Sequence, residues 1–185
     1  YWIYGVKKFT YADKKIDTTW GNNGTHKNHR STRSNGCRVY YSYGSAKIHN
    51  GVLYVNSYYD RKIRKIRVSD GACLGSINVN QYIRGMDIHN GHLYGSYYGG
   101  VYTVNLSNNA SRTCSVNNNG LRYSFAIAGS GNYLYSYYGS RIYRWDLVTT
   151  GNNICPVTNN YKSSYRNLGS SYGMTAHPSN CLLYT

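Results

Sequence analysis

One short pattern is written four times in this chain. Leu-Tyr recurs as Leu53-Tyr54, Leu93-Tyr94, Leu134-Tyr135 and Leu183-Tyr184, at intervals of 40, 41 and 49 residues. The stretches that follow align: LYVNSYYDRKIRKIRVSDGACL, LYGSYYGGVYTVNLSNNASRTCSV and LYSYYGSRIYRWDLVTTGNNICPV. So do those that precede: AKIHNGVLY, MDIHNGHLY, FAIAGSGNYLY and MTAHPSNCLLY. Self-similarity at such a period means that one small unit is built repeatedly and buries its apolar faces against its neighbours. Two segments stand outside the pattern. TTWGNNGTHKNHRSTRSNG is polar, basic and aperiodic, and reads as a surface loop over about 19–36. NNYKSSYRNLGSS is a shorter insertion before the last repeat.

Each unit divides into four short strands. The first resembles RGMDIH and ends in Asn-Gly, the second is HLYGSYY, the third is VYTVNL and the fourth is RTCSVN. Asn-Gly between two alternating runs is a strong hairpin signal. Four antiparallel strands in about 40 to 45 residues is the make-up of a β-propeller blade. The run GMDIHNGHLYGSYYGGVYTVNL resembles blades of the NHL and YWTD classes of β-propeller, and RIYRWDL resembles their third strand. Asp60 stands where those blades usually carry an aspartate after the second strand. The resemblance implies an all-β fold, with blade-like repeats over about 38–77, 78–118, 119–158, and 159–185 joined to 1–19. Read from end to beginning, LYT runs into YWIYG, so one blade is split between the two ends. A closed four-bladed ring, one period of a tandem array, or strand exchange between copies would each complete it.

Tyrosine is the outstanding residue, with 24 copies. The pairs Tyr58-Tyr59, Tyr97-Tyr98 and Tyr137-Tyr138 are expected to pack between blades, one ring toward each neighbour. Trp2, Trp20 and Trp145 are the candidates for stacking against sugars. Charge is lopsided, with 21 Lys and Arg against six acids, all of them Asp, for a formal +15. That balance attracts polyanions: acidic glycans, nucleic acid or anionic surfaces. The densest basic run, DRKIRKIRV, offers Arg61, Lys62, Arg64 and Lys65, although strand alternation splits these residues over two faces.

Cysteine is periodic: Cys37, Cys73, Cys114 and Cys155 fall one per blade, with Cys181 in addition. These five are the candidates for disulfides. Equivalent positions on neighbouring blades point into different sectors, so small apolar packing is expected for the periodic four, with bridges between chains as the other reading. His49, His89 and His177 end first strands, and the turn beside them accounts for the residue type. Catalytic propellers need acids near the axis, but Asp87 is alone on a first strand, where its equivalents are Lys47, Ala126 and Thr175. No catalytic residue, metal site or cofactor is expected. Sequons at Asn23, Asn105 and Asn109 point to glycosylation and a secreted protein. No stretch is apolar enough to span a membrane as a helix. The function expected is a secreted, non-enzymatic propeller with a structural or assembly role, as the repeating unit of a filament. The alternative is a lectin-like module for glycans or polyanions. Self-association and acidic polysaccharides are the partners expected; nucleic acid is not.

Overall fold

The computed structural model describes residues 5–27, 36–42, 45–115, 126–130, 132–138, 141–150, 153–156, 162–165, 175–176 and 183–184. The chain is all-β and antiparallel, and the described residues include no helix. It forms two compact units, residues 1–42 with 46–80, and residues 43–45 with 81–185.

The first unit holds one four-stranded meander, β1 (Ala46–His49), β2 (Val52–Ser57), β3 (Lys62–Arg67) and β4 (Cys73–Asn78). The second begins with another, β5 (Met86–His89), β6 (His92–Tyr97), β7 (Gly100–Asn105) and β8 (Ser111–Ser115). It continues with β9 (Ala126–Ser130), β10 (Tyr133–Tyr138), β11 (Arg141–Thr150), β12 (Asn153–Pro156) and β13 (Lys162–Tyr165). A short pair, β14 (Thr175–Ala176) and β15 (Leu183–Tyr184), follows. The Asn-Gly signals do what their chemistry permits. Asn50 and Gly51 (φ 46° and 72°), like Asn90 and Gly91 (φ 48° and 71°), are left-handed in succession, as a two-residue turn matched to strand twist requires.

Register explains why the cysteines pair, contrary to the expectation that they stay apart. The hairpin ends Ser57↔Lys62, Tyr97↔Gly100 and Tyr138↔Arg141 bring the three sheets into correspondence. One step further along, Ile63 faces Ile77, Val101 faces Cys114 and Ile142 faces Ser164. Cys114 therefore corresponds to Ile77 and Ser164, not to other cysteines. Cys73 lies at the far end of its sheet, opposite Ile66, beyond a bulge where Gly75 (φ 92°) accommodates an extra residue in β4. Cys155 lies on β12, which pairs with the distal end of a ten-residue β11, while β13 takes the proximal end. Cysteines that are periodic in sequence are thus not equivalent in space. Cys37–Cys73 closes the first unit and Cys114–Cys155 the second, each with Cα atoms 5.7 Å apart.

Each unit has its own core. In the second, Tyr94, Val101 and Cys114 from one sheet pack against Leu134 and Trp145 from the next. The Trp145 indole donates to Ser136 Oγ at 2.8 Å, which satisfies its only polar atom. In the first, Trp20 joins Cys37, Val39, Val55 and Ile66 and donates from Nε1 to the Val68 carbonyl at 2.7 Å. The start of the segment read as a surface loop is therefore docked on the first sheet. His26, fully buried, fastens it further: Nδ1 accepts from the Val6 amide at 3.0 Å and Nε2 donates to the Cys37 carbonyl at 2.8 Å. Residues 5–19 form isolated bridges such as Lys7↔Thr25 and Phe9↔Ile16, not regular strands.

Candidate functional site

The first unit carries a cluster of aromatic and basic side chains on the turn between β2 and β3. That turn, Tyr58 to Arg61, is two residues longer than the Tyr98-Gly99 turn at the matching place in the second unit. The backbone of 40–41 runs against it. The Tyr58 amide donates to the Tyr41 carbonyl at 2.9 Å, the Tyr59 amide to the Tyr40 carbonyl at 3.3 Å, and the Tyr40 amide to Ser57 Oγ at 2.8 Å. These bonds gather three phenol rings. Tyr41 and Tyr58 lie 6.3 Å apart edge-on, Tyr41 and Tyr59 5.5 Å apart, and Tyr58 and Tyr59 5.4 Å apart edge-on. Edge contacts set the positive rim of one ring against the negative face of another. Tyr59 remains 64% exposed.

Basic residues lie on the same two segments. The Arg38 guanidinium sits 4.4 Å over the Tyr40 ring, and Arg61 is exposed at the turn with φ 53°. Arg64 holds the assembly from below. It is 2% exposed, donates from Nε to the Arg38 carbonyl at 2.9 Å and from Nη1 to the Gly36 carbonyl at 3.1 Å, and pairs through Nη2 with Asp60. Burial pulls its guanidinium below the ordinary arginine value, and the Asp60 carboxylate opposes that shift.

The basic run is thereby divided. Arg61 is exposed, Lys62 and Lys65 are half-buried, and Arg64 is an internal clamp, so Arg64 is removed from any surface that binds a polyanion. Trp20 and Trp145 are buried in the two cores and offer no face to a sugar; Trp2, Cys181 and His177 lie outside the described residues. The tyrosine pairs also differ from expectation. Tyr97 is 8% exposed and Tyr98 56%, because Tyr97 ends β6 whereas Tyr98 lies in the turn to β7. Asn23 is exposed in a turn, and Asn109 is exposed in the connection between β7 and β8. Asn105 is half-buried, and its Oδ1 accepts from the Ser107 amide at 2.9 Å and from Ser107 Oγ at 2.7 Å. His49 and His89 close β1 and β5 beside the Asn-Gly turns, and Asp87 is buried on β5. Among the described residues no three His, Cys, Asp or Glu side chains come together as a metal site.

Sequence reasoning weighed the tyrosines as packing and the arginines as charge, and missed that one turn unites them. The available signal was the two additional residues in LYVNSYYDRK relative to LYGSYYGG.

The sheets and their pairing define an all-β protein, and propeller-type proteins are among the solved structures that it resembles. One is a chain of a mitotic checkpoint complex, at 12% identity, with 95% of this chain and 63% of that chain covered and a TM-score of 0.56. The computationally designed protein Ika8 matches at 12% identity over 70% of this chain and 38% of its own, with a TM-score of 0.48. PorZ, a bacterial surface component of the type-IX secretion system of Porphyromonas gingivalis, matches at 11% over 73% of this chain and 22% of its own, with a TM-score of 0.46. The chain spans less than two thirds of the length of each of these three, and the likeness concerns fold alone. No protein-family model matches the chain, and neither does any curated protein.

Proposed function

We propose that this is an extracytoplasmic, non-enzymatic β-propeller with a structural role, which associates with further copies into an extracellular filament. Its repeats, NHL- and YWTD-like in sequence, close as a four-bladed ring, and the sequons at Asn23, Asn105 and Asn109 carry glycans. The observation that carries this reading is the pair of disulfides, one in each unit, since such bonds persist in oxidising compartments and are rare where thiols are kept reduced. Exposed rings on both units, Tyr11 on one and Tyr82 and Tyr98 on the other, support association, because tyrosine is enriched where proteins meet. Native material imaged by negative stain at rising concentration is expected to form fibres, with intact-mass analysis showing both disulfides and added sugar. Monodisperse single particles at every concentration would defeat the assembly reading, and four reduced cysteines at positions 37, 73, 114 and 155 would defeat the compartment.

A further inference from the structure

We infer that the β2–β3 turn of the first unit is a binding site for acidic sugar chains of the polyuronate type, a site independent of assembly. Three observations converge on it. First, the rings of Tyr41, Tyr58 and Tyr59 are held against one another before any ligand arrives, by backbone bonds from 40–41 to the turn and by Arg64 underneath. A site ordered in advance loses less entropy on binding. Second, Tyr59 is exposed although it lies within that cluster, and an open phenol face is a surface on which the C–H face of a pyranose can lie, the weakly positive C–H groups meeting the negative π face. Third, the charge has one sign. Asp60 is the carboxylate of this turn and already faces the Arg64 guanidinium, whereas Arg61 stands in the same turn, Lys62 opens β3 and Arg38 lies over the adjoining Tyr40 ring. A ligand that presents a sugar face together with a carboxylate meets both features. A neutral glycan meets only the rings, and an inorganic polyanion only the charge.

The geometry also assigns roles. Tyr59 would take the pyranose face and Arg61 the uronate carboxylate, while Arg64 is a positioning residue that never touches the ligand. Arg61 occupies the left-handed region at φ 53°, so the replacement that removes its charge without straining the turn is Asn, which tolerates that conformation.

The test is calorimetric titration of the full chain with three probes: a galacturonate hexamer, a neutral maltohexaose and an inorganic polyphosphate of similar charge. The hexamer is expected to bind, with affinity that falls but persists at about 0.5 M salt, where charge attraction between exposed groups is largely screened. Tyr59→Ala is expected to weaken it by about tenfold, the size of one well-made aromatic contact. Arg61→Asn is expected to weaken it several-fold and to flatten the salt dependence. Lys14→Asn with Lys15→Gln removes two charges from the exposed 10–15 hairpin of the same unit and is expected to leave binding unchanged. Thermal melts of each variant confirm that the fold is kept, and if Tyr59→Ala melts early, Tyr59→Leu keeps the bulk and removes the π face. Equal binding of polyphosphate with no effect of Tyr59→Ala overturns the proposal in favour of plain charge attraction. Equal binding of maltohexaose overturns the acidic specificity, and absence of hexamer binding overturns the site. None of these results bears on whether the protein forms fibres.

Discussion

Tyr94 and Arg64 are two buried polar residues in opposite situations. The Tyr94 hydroxyl has no hydrogen-bond partner among the described residues, and burial pushes its phenol far above the ordinary tyrosine value. An orphaned hydroxyl carries its desolvation cost with no return, so Tyr94→Phe is expected to leave stability unchanged or raise it by about 1 kcal/mol, as read by urea denaturation. Arg64 is satisfied at three nitrogens, and removing it strands two carbonyls and a carboxylate. Arg64→Met is expected to cost roughly 3 kcal/mol in the same measurement, because breaking a buried pair leaves a charge without compensation. That rings such as Tyr54 and Tyr94 are buried was legible in the repeated strand pattern. That Arg64 is a clamp was not, because the basic run sets it between Lys62 and Lys65 as one of several similar cations, and only the carbonyls of Gly36 and Arg38 and the Asp60 carboxylate single it out.

Among elements, the hairpins were the most legible part of the fold. An Asn-Gly pair encodes its turn locally, since few other residues accept two successive left-handed conformations without strain. Gly91→Ala, at φ 71°, is accordingly expected to cost about 1 kcal/mol by the same urea assay. The outer strands were the least legible. β13 comes from a stretch read as an insertion, and β12, read as the fourth strand of its blade, pairs instead with an extension of β11. Both choices depend on which partner reaches the free edge of β11, and pairing at an edge is a tertiary matter. The cysteine reading failed with them, for it assumed that equal spacing in sequence meant equal register. Cys114 and Cys155 are 41 residues apart, so their bond restricts a long loop in the unfolded chain. By the chain-entropy estimate, Cys114→Ala with Cys155→Ala is expected to lower stability by about 4 kcal/mol in denaturant titration.

At the scale of the whole molecule, the excess of positive charge makes the few carboxylates matter for acid stability. The carboxyls of Asp13, Asp17 and Asp70 are held below the ordinary value, chiefly by the Thr10 hydroxyl, the Thr19 hydroxyl and the Ala72 amide respectively. A carboxyl with a lower pKa folded than unfolded stabilises the fold above the unfolded value, near 4, and that contribution disappears as pH falls through the folded value. The melting temperature is therefore expected to drop below about pH 4, more steeply at low salt, where the added positive charge repels itself. Asp70→Asn, which removes one such carboxyl, is expected to melt lower near neutral pH and to show a shallower acid drop. The sequence by itself determined the all-β character, the repeated hairpins and the excess of basic charge, because alternation, turn chemistry and charge are properties of residues and their near neighbours. Only the tertiary structure decided which cysteines meet, which strand takes the free end of β11, which tryptophans vanish into the cores and which tyrosines gather with arginine on one turn. Each of those depends on edges and faces brought together from distant parts of the chain, and the spacing of residues along it leaves them open.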